Sequence, residues 1–445
     1  MKERSKSQAK YYTLLALFPT AFIIYAVSLL NTDVLGLHNW VFLTKTAWFL
    51  SMPFVISNLV GLFLYGSPEI DNNKSLVKLS HQKWNKKKKL LVSYVSYGKN
   101  SSALKRAVSA SRQVLNSLDV NYEIEVITDI PVRFLHSGIK NILVPKEYVT
   151  ENKTKFKARA LNYASSIRDT DIDTWILHLD EESVVTESSV AGIHSFINKY
   201  DIDCIGQGEI KYNSYKYFSN PLIAAVDSIR TGDDLGRFRF QYKLFNSPIY
   251  GIHGSFVLIN SLTEYGLGFD VGEEGSLTED TFFAIKAADL GFKFMWCDGY
   301  IREQSPFSIF DLIKQRRRWL NGLSKLTASK EISFKRKSIL SVAIFSWGLS
   351  WLSVIATLLN LFMPSHILPL PFHILSALCA GLFMSVYAIG AYRNVIDIDQ
   401  PALTKLGVIL TVIAFVPIAS VVEAVAVLYA LINPIKTQFQ VVEKN

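Results

Sequence analysis

Apolar residues along this chain fall into two arrangements. Toward both ends they form long uncharged blocks; in the middle they form short runs divided by polar segments. Tyr11–Leu30 and Thr46–Tyr65 contain no Asp, Glu, Lys or Arg, and each is long enough to span a bilayer core, which takes about 20 residues as a helix. Ser338–Tyr392 is likewise without charge. As a single helix it would reach roughly 80 Å, against a hydrocarbon core of about 30 Å. Pro364, Pro369 and Pro371 mark the break, which predicts two spans near 338–363 and 372–392. A last block, Leu406–Ile432, carries Pro417 and Glu423 and is expected to bend or re-enter. The first block lacks a small-residue cleavage site, so it is expected as a retained anchor.

The middle of the chain alternates in type. Leu90–Val95, Glu123–Thr128 and Thr174–Leu179 predict strands, and 102–118 predicts a helix between the first two. Strands alternating with helices indicate an α/β unit with a mainly parallel sheet. In such sheets ligands bind beyond the carboxyl ends of the strands. Asp129 follows the second strand there, and Asp180-Glu181-Glu182 the third.

Composition supports the division. Charged residues make up 19% and apolar ones 49%, short of the roughly 25% charge of a soluble domain. Such hydrophobic content excludes a disordered protein. Cys204, Cys297 and Cys379 are too scattered for a disulfide framework or a zinc site. The net charge is +9. Lys2, Arg4, Lys6 and Lys10 precede the first block, Lys83 and Lys86–Lys89 follow the second, and Lys335-Arg336-Lys337 precede the third. The positive-inside rule then places the N-terminus and 66–337 in the cytoplasm. The same basic residues favour anionic lipid head groups over nucleic acid as partners. The sequons at Asn73, Asn100 and Asn152 are expected to go unused on that side.

Candidate chemistry follows the strand ends. Asp180 and Glu182 share one side by the period of two, and two close carboxylates suit a hard cation such as Mg2+ or Mn2+; an acidic turn capping the next helix is the alternative. Lys153-Thr-Lys-Phe-Lys157-Ala-Arg159 could steady a diphosphate or form a solvated basic face. Thr278 suits an N-cap and Gly291 a C′ position, so Asp280 either complements the helix dipole or serves as a general base. Nearby cations would keep Asp280 ionised at neutral pH. Ser305-Pro306 predicts a helix start with Pro at its first position. Gln315, Arg318 and Trp319 then share one face, on a helix patterned for the membrane interface. Arg316 and Arg317 are expected to face lipid.

The succession Asp129, Lys-Ala-Arg-Ala-Leu-Asn162, Asp180-Glu-Glu182, Thr278-Glu-Asp280 and Gln315-Arg-Arg-Arg-Trp319, set between membrane blocks, resembles the family-two glycosyltransferases of the processive, membrane-embedded type. His178–Ser183, Gly206–Gly208, Gln241–Phe245, Gly254-Ser255, Ser305–Phe307 and Gln315–Leu320 are most similar to the egghead-type β-1,4-mannosyltransferases. The resemblance covers about 88–325. It implies a GT-A-like, Rossmann-like catalytic domain inserted between transmembrane helices. The layout is two helices in 1–66, the cytoplasmic domain in 67–325 with an interfacial helix at 305–323, about three helices in 338–432, and a tail at 433–445.

The resemblance also implies roles. Asp129 contacts the donor nucleoside, and Lys157, Gln315 and Arg318 the diphosphate. Asp180 and Glu182 hold the metal, Mg2+ or Mn2+, with Glu in place of a second Asp. Asp280 is the base, and Glu279 and Trp319 meet the acceptor. The expected reaction is an inverting transfer from a cytosolic nucleotide sugar to a lipid-linked or glycan acceptor. The donor is GDP-mannose by the egghead likeness; UDP-glucose or UDP-GlcNAc in a processive polysaccharide synthase is the alternative. A nucleotide-sugar hydrolase and a non-catalytic transport or scaffold protein are the rivals of other classes. The absence of Gly-x-x-x-x-Gly-Lys-Ser/Thr excludes a P-loop kinase or ATPase.

Overall fold

The computed structural model describes residues 2–28, 47–65, 84–134, 138–362, 370–435 and 444. In chain order the elements are α1 Lys2–Ser28, a 3-10 turn Ala47–Ser51, α2 Met52–Tyr65, β1 Lys89–Ser96, α3 Ser101–Ser117, β2 Tyr122–Thr128, β3 Ile139–Leu143, α4 Phe156–Ile167, β4 Thr174–Asp180 and α5 Glu187–Lys199. There follow β5 Cys204–Lys211, α6 Pro221–Asp233, a π turn Asp234–Phe238, α7 Arg239–Phe245, β6 Val257–Asn260, α8 Ser261–Leu267, α9 Glu279–Asp289 and β7 Lys293–Arg302. Last come α10 Ile309–Ala328, α11 Phe334–Gly348, α12 Ser350–Phe362, α13 Leu370–Ile396 and α14 Ala402–Ile432.

The expected α/β class is borne out. Seven strands form one sheet in the order β3-β2-β1-β4-β6-β5-β7, parallel except for β6, which runs antiparallel to both β4 and β5. Side chains of β1 alternate between two cores. Leu91 and Val95 join one cluster, while Leu90, Val92 and Tyr94 join the other. A strand buried on both faces reads as a continuous apolar run, which is why Leu90–Val95 lacks the usual polar alternation. From β1 the chain moves outward to β2 and β3 on one side; from β4 it passes to the other side, where β5, β6 and β7 lie. The gap between β1 and β4 is therefore the topological switch point, with Val95 level with Asp180.

Four helices among the described residues are long and apolar enough to cross a membrane: Ala47–Tyr65, Phe334–Leu358, Leu370–Ile396 and Ala402–Ile432. They mark a membrane protein. Helix α1 packs on α13, where Ser385 Oγ donates to Leu15 O and Gly381 lies against the backbone of Pro19. The last block, expected to bend or re-enter, is a single helix. Helix α14 runs unbroken through Pro417, and at 1.5 Å per residue its length of roughly 46 Å exceeds the hydrocarbon core. Pro364 and Pro369, at the expected break, lie outside the described residues, as do Asn73 and Lys83; Pro371 is in the first turn of α13.

Two close approaches tie α13 to the α/β unit. A Cβ on Gly390 would lie 1.8 Å from Ser228 O, and one on Gly232 2.3 Å from Val386 O, so α6 and α13 cross backbone to backbone. Further along α13, Arg393 donates to Glu209 of β5 through Nε at 3.0 Å and Nη2 at 2.7 Å. Both side chains are essentially without solvent exposure. Removing one member of a buried pair strands the other charge, at a cost of about 3–5 kcal/mol. Arg393→Met is therefore expected to lower the unfolding midpoint in detergent. Adding Glu209→Leu should recover part of that loss, and scanning calorimetry of the single and double variants checks it.

Candidate active site

The carboxyl ends of β1, β2 and β4 open on a cavity of about 1870 Å3. All nine residues expected from the sequence line it: Asp129, Lys157, Asp180, Glu182, Glu279, Asp280, Gln315, Arg318 and Trp319. Asp129 follows β2 and Asp180 ends β4. Glu279 and Asp280 begin α9, whose N-cap position is Thr278. The Thr278 side chain makes no cap hydrogen bond, and Gly291 closes the helix at φ +95°.

The basic stretch divides by function of place. Lys155 pairs with exposed Glu273, as a solvated face would. The backbone then turns through the left-handed region at Phe156 (φ +58°), and Lys157 enters the cavity. Its ammonium donates to Asp180 Oδ1 at 2.5 Å and to Gly254 O at 3.0 Å, and lies 3.5 Å from Glu279. Burial alone would discharge it, but Asp180 and Glu279 outweigh burial and hold it protonated. Burial equally works against ionised Asp180, and Lys157, then Lys444 and Arg318, bring its pKa below the usual value. Arg159 meets Asp129 and also donates to Pro145 O and Tyr148 O at 3.0 Å. Burial nevertheless leaves the Asp129 pKa raised.

Asp280 departs from expectation. Its environment was expected to keep it ionised, yet burial and neighbouring Glu279 outweigh Lys157 and push its pKa up to about 7. Oδ1 accepts from Thr281 N at 2.6 Å. A base half-protonated near neutrality suits proton abstraction at that pH.

Three acids at the end of β4 each have a separate partner. Asp180 has Lys157, Glu181 accepts from Ser96 Oγ and from Asn100 Nδ2 at 2.5 Å, and Glu182 pairs with Lys444. The backbone of Lys444 is held as well: its N donates to Asn100 Oδ1 at 3.1 Å, and its O accepts from Arg106 at 3.2 Å and Gln304 at 3.1 Å. Carboxylates at a strand end have the right chemistry for Mg2+ or Mn2+. Their placement here does not make a cation site, because ammonium groups stand on both Asp180 and Glu182. Among the described residues no three His, Cys, Asp or Glu side chains gather on one point. Asn100, one of the sequons, is buried in this cleft with its amide engaged, and Asn152 is bonded to Asp270.

The helix carrying Gln315, Arg318 and Trp319 begins at Ile309 rather than at Pro306. Ser308 is its N-cap, accepting from Asp311 N at 3.1 Å; the hydroxyl supplies the bond that Pro cannot. Arg316 and Arg317 do not face lipid. Both are buried: Arg316 Nε donates to Glu423 at 2.6 Å, and Arg317 Nε to Asn433 O at 2.6 Å. Buried guanidinium groups require such partners.

Other cavity residues gave no local signal. Glu303, just past β7, accepts from Ser183 Oγ at 2.9 Å. His253 pairs with buried Asp234 at 2.6 Å. The neighbouring loop is braced by motif residues: Gln207 Nε2 donates to His253 O at 3.1 Å, and Gln241 accepts from Ile249 N and Tyr250 N at 2.7 Å. The bracing brings Gly254 beside both Lys157 and Asp280. Gly206–Gly208 and Gln241–Phe245 carried this signal in the sequence, without their partners.

Residues 175–392 match the family described as "Glycosyl transferase family group 2". The chain is 36% identical over 335 residues to Beta-1,4-mannosyltransferase egh of Drosophila melanogaster, covering 73% of this chain and 71% of that protein. It is 33% identical over 337 residues to Beta-1,4-mannosyltransferase bre-3 of Caenorhabditis elegans, covering 73% and 71%. Among solved structures, S. aureus TarS 1-349 in complex with UDP is similar at 12% identity and a TM-score of 0.34, covering 68% of this chain and 91% of that one, a score too low to bear on the site.

If Asp280, with its pKa pushed up to about 7, is a general base, its ionised fraction is the active one. The turnover rate is therefore expected to rise tenfold per pH unit well below 7 and to level off above it. A rate–pH profile flat from about pH 5.5 to about 8.5 contradicts the assignment.

Proposed function

The chain belongs to the group 2 glycosyl transferases, and we propose that it moves a mannosyl unit from cytosolic GDP-mannose, with inversion, onto the 4-hydroxyl of a glucosyl lipid. The carrying observation is that one cavity has both charged and apolar walls. It runs from Asp129, Asp180 and Asp280 to Trp347, Val354, Phe383 and Val421 of the candidate membrane helices. Charged walls suit a nucleotide sugar and apolar walls a lipid acceptor. The names of the relatives, β-1,4-mannosyltransferases at 33–36% identity, support mannose and the linkage.

In this reading Asp280 takes the proton of the acceptor hydroxyl. The freed oxygen attacks the anomeric carbon as the bond to the diphosphate oxygen breaks, so an α-linked donor yields a β product. Lys157 and Arg318 offset the charge that grows on the departing diphosphate. Gln315 stands on the same helix to orient it, Asp129 meets the nucleoside, and Glu279 and Trp319 meet the acceptor sugar. The group generally uses a divalent metal, and Mg2+ or Mn2+ is the expected ion. Its carboxylates are present without the convergence it needs, so no step above passes through it.

The catalytic unit is 67–325, cytoplasmic, with the chain crossing the membrane several times. Lys335, Arg336 and Lys337 in the first turn of α11, with Lys2, Arg4, Lys6 and Lys10 at the start of α1, support that orientation.

Asp280→Asn is expected to reduce transfer at least about 100-fold, the usual contribution of a general base, with the circular dichroism spectrum unchanged. Full retained transfer would remove Asp280 from its role. A panel of radiolabelled GDP-mannose, UDP-glucose and UDP-GlcNAc with an alkyl β-glucoside acceptor tests the rest. A single mannose added from GDP-mannose is the expected product. Free sugar would point to hydrolysis, and a growing polymer from a UDP-sugar to a polysaccharide synthase.

A further inference from the structure

Two guanidinium groups lie within 5 Å of the Trp319 ring centroid. That of Arg316 lies 4.6 Å from the ring centroid and that of Arg230 4.9 Å. Indole is the strongest aromatic partner for a cation, and the attraction grows when the pair is desolvated. Neither arginine is held by its own helix alone. Arg316, on α10, donates from Nε to Glu423 of α14 at 2.6 Å, from Nη2 to Asp227 of α6 at 3.3 Å, and from Nη1 to Gln315 Oε1 at 2.8 Å. Arg230, also on α6, reaches the same Asp227 Oδ1 at 3.4 Å and lies over Tyr212 at 3.7 Å. Asp227 is fully buried and Arg316 nearly so.

Glu423 is the acidic residue of an apolar helix that is long and apolar enough to cross a bilayer. A carboxylate in such a place is costly unless it has a partner and a task. Its partner is the arginine three residues before the indole, and it lines the same cavity. We propose that Glu423 is a positioning residue for the transfer reaction. Together with Asp227 it fixes Arg316 and Arg230 against Trp319, and so sets the indole for the acceptor sugar from within the membrane. The proposal rests on Trp319 being the acceptor platform. Glu423 itself touches neither reacting group.

Steady-state kinetics of the full-length protein, with GDP-mannose and an alkyl β-glucoside, test it. Glu423→Leu is expected to raise the acceptor KM about tenfold, a loss of acceptor binding, while the donor KM stays within about twofold. Glu423→Gln keeps an oxygen for Arg316 Nε without altering size, so it should be intermediate, and it serves if the leucine variant does not fold. On a Trp319→Ala background Glu423→Leu should add less than about twofold, because residues acting through one contact are not additive. A donor KM that rises equally, or effects that multiply in the double variant, would overturn the tether. A silent Glu423→Leu beside an active Trp319→Ala effect would overturn it too, leaving the platform standing. An unchanged acceptor KM in Trp319→Ala would remove the platform, and the proposal with it.

Discussion

Taking a charge out of water costs several kcal/mol unless an opposite charge meets it, and this constraint joins the parts of the molecule. Glu209, in the middle of β5, is met by Arg393 from the end of α13. Glu125, in the middle of β2, is met by Arg168, which also serves Glu264 of α8. Asp227 and Glu423 meet Arg316. Each pair links elements far apart in the chain, so the sheet, the apolar helices and the helix bearing Trp319 cannot shift independently without stranding a charge.

The same constraint shapes the chemistry. Lys157 stays protonated because two carboxylates face it, whereas Asp280 lies where burial and Glu279 outweigh that lysine. One cluster thus holds an acid kept ionised, Asp180, and an acid poised to exchange a proton, Asp280. Environments that push like groups apart are how one site separates charge stabilisation from proton transfer.

Much of the fold was legible because its signals are local. The strands at Lys89–Ser96, Tyr122–Thr128 and Thr174–Asp180 lie within a residue or so of the apolar runs that predict them, since period and turn chemistry act over a few positions. The start of the helix at Ile309 was misread because Pro306 is a permissive signal, whereas the Ser308 hydroxyl supplies an actual cap. The antiparallel β6, only four residues long, has too little pattern to declare its direction.

The sequence by itself determined which side chains could do chemistry and in what order they come, because motif spacing and apolar period are properties of neighbours along the chain. It also placed the acids beyond the strand ends, since strand direction decides where a parallel sheet opens. Only the tertiary structure decided how those groups are charged and held. Asp280 gains its raised pKa from burial in a packed cavity. Glu182 gains Lys444, and Arg316 gains Glu423, across most of the chain or a quarter of it. Desolvation and Coulomb attraction depend on distance in space and on excluded water, and neither is set until the helices have closed over the sheet.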